Sequence, residues 1–351
     1  MSAESSSAGN CPVPILDHGE IVMGHGSGGR LSRELIDRII LPNFDNEWLS
    51  TLHDGAILPT EGERIAFTTD SYVVDPLFFP GGDIGSLAVH GTVNDLAMCG
   101  AVPRWLSVGF ILEEGLPVPD FVRVVESMRR AAGDAGVHLV TGDTKVVGRG
   151  KGDGIFVSTS GVGTVREGVT IDPGTAAAGD KIILSGEIAS HGMAIMVARD
   201  DLEFETEIRS DSAPLHGLVE EILNVCPEVR VLRDPTRGGV ASALNEIAAQ
   251  SGIGIRLEEE CIPIAEPVRG ACEILGLDPL YVANEGKLLA IVPAGDAGPV
   301  VEAMRSHSLG RSAAVIGEVV PDHPGRVNLR TRVGGERIVD LLAGDQLPRI
   351  C

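Results

Sequence analysis

The chain ends Pro348-Arg349-Ile350-Cys351, and single aspartates stand where apolar runs break off, at Asp54, Asp70, Asp95 and Asp143. A thiol on an extended arm can enter a pocket, receive a group and present that group elsewhere. The seven residues after Gly344 reach about 23–25 Å when extended. Chain ends also tolerate change, so a terminal cysteine alone decides nothing. Carboxylates that converge on one point repel each other unless a cation holds them, and Mg²⁺ shared with phosphate oxygens is the usual arrangement. Asp70 closes the strand-like run Ile65–Thr69, and Asp143 follows a strand predicted over Val137–Thr141. Asp95, with Asn94, interrupts a helix built otherwise of Ile, Leu, Ala, Val, Gly and Met. A bare carboxylate there is costly to bury, so it must find a partner or solvent. Taken singly, each aspartate reads first as a turn or cap residue, Asp54-Gly55 being a common turn pair.

Two further segments carry charge in useful order. Asp143-Thr144-Lys145 puts a carboxylate and an ammonium on one face of an extended chain, where a metal and a lysine can share a triphosphate. Asn284-Glu285-Gly286-Lys287 is a polar break before an apolar strand, and reads equally as a turn with a solvated glutamate. Gly24-His25-Gly26-Ser27-Gly28-Gly29 fits G-x-G-x-x-G. Only Ile21–Met23 precede it and no strand follows, so the run suits a Gly-rich lid over an anion better than a dinucleotide fingerprint.

The elements that must position these residues alternate in both halves of the chain, giving a mixed α/β class. The first half reads as a helix over Leu31–Leu41 stopped by Pro42, and strands at Ala56–Leu58, Ile65–Val74 and Arg104–Leu112. Asp83 is the predicted N-cap of a helix through Cys99, with Gly100 beyond its end. A helix over Asp120–Ala135 and a strand over 153–165 follow. Gly174–Asp180 reads as a linker. Beyond it come a strand at Lys181–Ser185, helices near 190–198 and 215–224, and the turn Arg233-Asp234-Pro235-Thr236-Arg237-Gly238-Gly239 before a helix over Val240–Gln250. Strands near 253–257, 287–292 and 313–320 and a helix near 296–306 complete the second half. The expected organisation is a loose extension over 1–20, domains over 21–178 and 179–343, and a mobile tail over 344–351.

At 351 residues two domains are expected. A net charge of −22 argues against a protein that grips a phosphate backbone with a basic face. The six cysteines include no metal-binding pair, and in a chain this long they make no disulfide framework, which points to a reducing cytoplasm. No apolar stretch reaches membrane-spanning length.

Together, several segments resemble one family closely. They are His25-Gly26-Ser27-Gly28-Gly29, Thr68-Thr69-Asp70-Ser71, Phe79–Gly85, Gly91-Thr92-Val93-Asn94-Asp95-Leu96-Ala97, Gly142–Val147, Asp234–Gly239 and Pro348–Cys351. The chain is similar to the HypE hydrogenase-maturation family, within the aminoimidazole-ribonucleotide synthetase-like (PurM-like) ATP-binding superfamily. The resemblance runs from about residue 20 to the end and leaves residues 1–20, with Cys11, without a counterpart. It implies two PurM-like α/β domains, the N-terminal ones paired in a homodimer, with ATP in a cleft at that pairing. It implies Mg²⁺ on Asp54, Asp70, Asp95 and Asp143, and nucleotide contacts from Gly26, Ser27, Gly28, Asn94, Asp143 and Lys145. A HypF-type carbamoyltransferase would load Cys351 as an S-carboxamide. ATP-dependent dehydration would then yield a thiocyanate, the cyanide source for [NiFe]-hydrogenase through a HypC–HypD scaffold. In that reaction Lys145 would stabilise phosphate charge and Glu285 would orient or deprotonate the carboxamide. A selenophosphate synthetase would carry cysteine or selenocysteine near the Gly-rich run, where Ser27-Gly28 stand. Other PurM-like synthetases need no terminal cysteine, and a non-enzymatic thiol carrier would have a degenerate nucleotide site.

Overall fold

The computed structural model describes residues 21, 23–26, 28–44, 46–60, 62–199, 207–342 and 350–351. The extension 1–20 with Cys11, Ser27 of the Gly-rich run, and the tail up to residue 349 lie outside the described residues.

The chain enters through a 3-10 turn, Met23–Gly26, and a helix formed of α1 (Arg30–Leu35), a π turn (Ile36–Ile40) and α2 (Leu41–Phe44). The expected stop at Pro42 is therefore corrected: the helix runs through it to Phe44. The π turn changes hydrogen-bond partners just ahead of Pro42, so the N–H that proline lacks falls where the ladder is already shifting. Then come β1 (Ala56–Pro59), β2 (Arg64–Tyr72), the short β3 (Phe78–Phe79) and β4 (Gly82–Asp83), α3 (Ile84–Met98), β5 (Ala101–Glu113), α4 (Val118–Asp134), β6 (His138–Val147) and β7 (Ile155–Val165). Among the described residues these give a five-stranded sheet in the order β1-β2-β7-β5-β6.

One face of this sheet is covered and the other is open. Helix α3 starts at Asp83, whose side chain accepts the N–H groups of Gly85 and Ser86 in a capping box. It lies flat on the covered face because small residues face it: a Cβ on Gly161 would come within 2.7 Å of Thr92 and 2.9 Å of Leu96. Leu87, Val89, Val93 and Leu96 are fully buried there, each worth about 1.5–3 kcal/mol of apolar transfer. The opposite face keeps Phe67, Trp105 and Ile111 at 42%, 50% and 43% exposure. Strand β6 also runs further than expected. Asp143 sits inside a ten-residue strand that continues to Val147, not after a strand ending at Thr141.

The second half contributes β8 (Lys181–Leu184), α5 (Ser190–Arg199), α6 (His216–Val225), β9 (Val231–Arg233), α7 (Gly239–Ser251), β10 (Gly254–Glu258), α8 (Glu266–Leu275), β11 (Leu289–Val292), α9 (Ala297–Ser306), β12 (Ala314–Val320), β13 (Val327–Arg330) and β14 (Glu336–Val339). The strands order as β14-β13-β10-β12-β8-β11-β9. Both faces of this sheet are packed. Ile182, Leu184, Leu289 and Ile291 join a core with α7, whereas Ile183, Ala290 and Val292 join one with α6 and α9. That double burial explains the unbroken apolar runs of β8 and β11. Strands β9, β13 and β14 and helix α8 were not anticipated from the sequence.

Candidate active site

A cavity of about 560 Å³ opens between the two halves. From the first half it takes the Gly-rich segment, the end of β2 and Asp95 of α3. From the second it takes the turn leading into α7 and the loop carrying Glu285, and Cys351 closes its wall.

Three carboxylates meet in it. Oxygens of Asp54, Asp95 and Asp234 lie within 4.8 Å of one another. Each is aimed by its own surroundings. Asp54 Oδ1 is 3.0 Å from Arg233 Nη1, and Arg233 Nη2 also reaches Glu246 Oε2 at 2.6 Å. Asp54 Oδ2 accepts no hydrogen bond among the described residues. Thr68 Oγ1 lies 2.7 Å from Asp95 Oδ2 and 3.0 Å from the Asp54 carbonyl oxygen. One hydroxyl proton serves both only if Asp95 is itself protonated at that oxygen. This agrees with its pKa, which burial first, then Asp70, Asp234 and Asp54, push well above the carboxylate range. Asp234 is raised to about 8, by burial and then Asp54. Arg233 resists burial: Asp54 and Glu246 more than offset the desolvation, and its guanidinium stays charged. An all-oxygen set, Asp234 buried and Asp54 and Asp95 half-buried, with one carboxylate oxygen that accepts no hydrogen bond among the described residues, fits a hard divalent ion such as Mg²⁺.

Asp70 lines the same cavity but is otherwise engaged. Tyr72 donates its hydroxyl to Oδ2 at 2.9 Å, and Arg237 Nη2 stands 3.9 Å from Oδ1. Burial raises the Asp70 pKa, against the pull of Arg237 and Tyr72. Glu285 is 3% exposed, and its Oε1 has no hydrogen-bond partner among the described residues. Its pKa is raised well above the usual range by burial, then by Asp234, Asp70 and Asp211. Cys351 faces the same cavity, and its charge, ahead of that of Asp70 and Glu285, keeps Arg237 protonated.

The sequence-derived candidates divide accordingly. Asp54, Asp70, Asp95, Glu285, Cys351, Gly26 and Gly28 line one cavity. Gly28, at φ +72°, lies so close to the α7 turn that a Cβ would stand 2.6 Å from the Arg237 carbonyl oxygen. That approach needs glycine. Asn94 is placed differently from its expected nucleotide contact. It is buried, its amide donates to the Ala213 and Glu285 carbonyls, and its Oδ1 accepts from Leu215. It ties α3 to the Glu285 loop.

Asp143 and Lys145 pair with each other at 2.9 Å, with side chains 70% and 71% exposed, outside this cavity. The register Asp70↔Thr159, Thr159↔Val108, Gly109↔Asp143 sets Asp143 three strands from Asp70 and on the opposite face, a lateral distance of about 14 Å. The reading from sequence also missed Asp234, Arg233, Arg237, Tyr72 and Glu246. The turn Arg233–Gly239 carried the signal, two arginines flanking an aspartate just before a Gly-Gly helix start.

Two family profiles cover most of the chain. Residues 52–165 match the AIR synthase related protein, N-terminal domain, and residues 177–330 match its C-terminal domain. The carbamoyl dehydratase HypE of Cupriavidus necator is 58% identical over 334 residues, spanning 95% of each chain. HypE in a crystal structure of a HypE–HypF complex superposes with a TM-score of 0.84 at 49% identity, covering 88% of this chain and 99% of that one. HypE crystallised with ATP gives a TM-score of 0.80 at 48% identity, covering 95% and 100%. The expected mixed α/β fold of two PurM-like domains is borne out. This chain belongs to the HypE family, the carbamoyl dehydratases of hydrogenase maturation.

Proposed function

We propose that the cavity binds ATP and performs the family's dehydration on Cys351 of the same chain, with Mg²⁺ on Asp54, Asp95 and Asp234. The observation that carries this is the convergence of Glu285 and Cys351 on the cavity that holds the three carboxylates. A HypF-type carbamoyltransferase, named with HypE in the solved complex, supplies the S-carboxamide. A HypC–HypD scaffold takes the product, and the work takes place in the cytoplasm. The domains run over 21–178 and 179–343, and the N-terminal domains pair through the open face of the first sheet, where Phe67, Trp105 and Ile111 are exposed.

The chemistry follows from leaving-group quality. An amide oxygen departs poorly and a phosphate departs well. Transfer of the γ-phosphoryl group to the carboxamide oxygen, followed by loss of both N–H protons and of phosphate, leaves the C≡N triple bond, ADP and inorganic phosphate. When bound, Mg²⁺ neutralises charge on the triphosphate. Arg237, kept protonated beside Cys351 and Asp70, balances negative charge near the tail. Glu285, buried with a raised pKa, accepts protons from the carboxamide nitrogen. The test is to carbamoylate the protein with carbamoyl phosphate, ATP and the transferase, add fresh Mg-ATP, and weigh the C-terminal peptide. Loss of one water from a peptide bearing Cys351, and no modified peptide from Cys351→Ala, is the expected result. A carbamoylated peptide that never loses water would replace the enzyme reading of this cavity with a carrier role.

Metal dependence of stability follows from the raised carboxylates. Asp234 has a folded pKa of about 8 against 3.8 unfolded, and Asp95 is raised too, so the folded state binds the extra protons. Stability from these groups is complete below the unfolded pKa and declines as pH rises towards the folded one. Below about pH 6.5, the ordinary histidine pKa, the half-buried His90 and His216 and the buried His191 act in the opposite sense, because desolvation lowers their pKa values. The metal-free stability should therefore fall between about pH 6.5 and 8, by at most about 1.4 kcal/mol per pH unit for each retained proton, and the melting temperature with it. Millimolar Mg²⁺ should flatten that slope; thermal melts across the range check it.

A further inference from the structure

The last two residues are held by a device that the reaction scheme does not use. Ile350 pairs with Val74 as an antiparallel bridge, and Val73 donates its N–H to a main-chain oxygen of Cys351 at 3.0 Å. The Ile350 side chain is 6% exposed, packed in the core with Val74, Phe79, Met193 and Val282. Its carbonyl oxygen lies 2.6 Å from Nε2 of His191, a fully buried residue standing edge-on to the Phe79 ring.

A carbonyl only accepts, so His191 Nε2 carries a proton. Burial lowers the His191 pKa and favours the neutral ring, so Nδ1 accepts from Ser210 Oγ at 2.8 Å. Ser210 Oγ in turn accepts the Ser212 N–H, and the Ser210 N–H donates to the Pro80 carbonyl at 2.8 Å. The ring is fixed on both sides, with one donor aimed at the tail.

The same residues locate Glu285. Asp211, next to Ser210, accepts the Glu285 N–H through Oδ1 and pairs with Lys287 at 3.2 Å. A Cβ on Gly286 would collide with the Asp211 carbonyl oxygen. On the other side, Ala189 donates its N–H to Asn284 Oδ1 at 2.7 Å, and Gly192 donates to the Ala283 carbonyl at 3.1 Å. The path His191, Ser210, Asp211, Glu285, Asn284, Ala189 closes on itself. It joins the residue that grips the tail to Glu285, which lines the same cavity as Cys351.

We propose that His191 is a positioning residue that latches the Ile350 carbonyl and so holds Cys351 in register with Glu285. This rests on the dehydratase reading for its catalytic consequence, but not for the latch itself. When the tail leaves, the His191 N–H loses a buried partner, which biases the equilibrium towards the docked tail.

The experiment measures two quantities on the full-length protein. One is the alkylation rate of Cys351 by iodoacetamide, followed on the C-terminal peptide; the other is the single-turnover dehydration rate of the carbamoylated protein. For His191→Ala the alkylation rate should rise about 10-fold and dehydration should slow, with Mg-ATP affinity kept. His191→Gln, whose amide can still donate to Ile350, should recover most of both. Ser210→Ala, a milder change that frees the ring, should raise alkylation about 3-fold and covers the case in which His191→Ala does not fold. Unchanged alkylation in folded His191→Ala or Ser210→Ala overturns the latch, as does equal loss in the alanine and glutamine variants. Absence of dehydration in the unmutated protein would overturn the dehydratase reading alone, because alkylation still reports the latch.

Discussion

Glu285→Gln should lower the single-turnover dehydration rate by about 10²–10⁴-fold while leaving Mg-ATP affinity nearly unchanged. The substitution keeps the side chain's size, and the backbone bond to Asp211 does not involve the carboxylate. What it removes is a proton acceptor. Glu285 Oε1 is buried and has no hydrogen-bond partner among the described residues, which leaves its lone pairs to a bound carboxamide. Burial, then Asp234, Asp70 and Asp211, raise its pKa, with Arg237 opposing them. A base must be deprotonated to act, so the rate should climb with pH until this raised pKa is passed. In the glutamine variant that limb should vanish. A full rate in Glu285→Gln, with the limb intact, would assign the base to another carboxylate of the cavity, Asp70 being next in line.

Much of this architecture is legible in the chain because local rules and burial agree. Asp83 caps α3 as its spacing before an apolar run suggests, and Gly100, at φ +71°, follows its end. The alternation Ile155, Val157, Thr159, Gly161 marks β7 because one face packs on α3 and the other stays open. Other features depend on contacts made across the fold. Asp95 on an apolar helix demanded a partner, but only the packing of β2 on α3 shows that Thr68 supplies it. Asn94 beside it carries the same polar signal and turns out to be a staple between the halves. Asp234 reads as a turn residue until the second half brings it against Asp54 and Asp95. Strand β6 looks short because it is an edge strand exposed along most of its length, so no apolar alternation marks its continuation through Asp143 and Lys145. The docking of Ile350 against Val74 and His191 joins residues far apart in sequence, where no periodicity reaches.

Lys145→Ala and Asp95→Asn should each be inactive alone and should recover activity when unfolded together and refolded as a mixture. Within one chain the two residues serve opposite faces of the first sheet. Thr68, which bonds Asp95, points towards α3, whereas Lys145 pairs in register with Ile111 on the open face. Its ammonium is 71% exposed and, among the described residues, pairs with Asp143, an ion pair that contributes little to stability in solvent. An exposed, weakly held cation suits a group whose intended partner lies on another molecule. If the N-terminal domains pair through their open faces, Lys145 of one copy reaches the cavity of the other. In a mixture half of the dimers are mixed, and each mixed dimer keeps one site with both residues intact. The expected yield is then about one quarter of the unmutated activity in a two-fold symmetric dimer, measured as water loss from Cys351 peptides. Cys351→Ala placed on either variant would show which chain's tail is dehydrated. No recovery, from a mixture shown by native mass spectrometry to contain mixed dimers, would place Lys145 in the cavity of its own chain. It would then have to cross three strands to get there, which the geometry of β6 opposes.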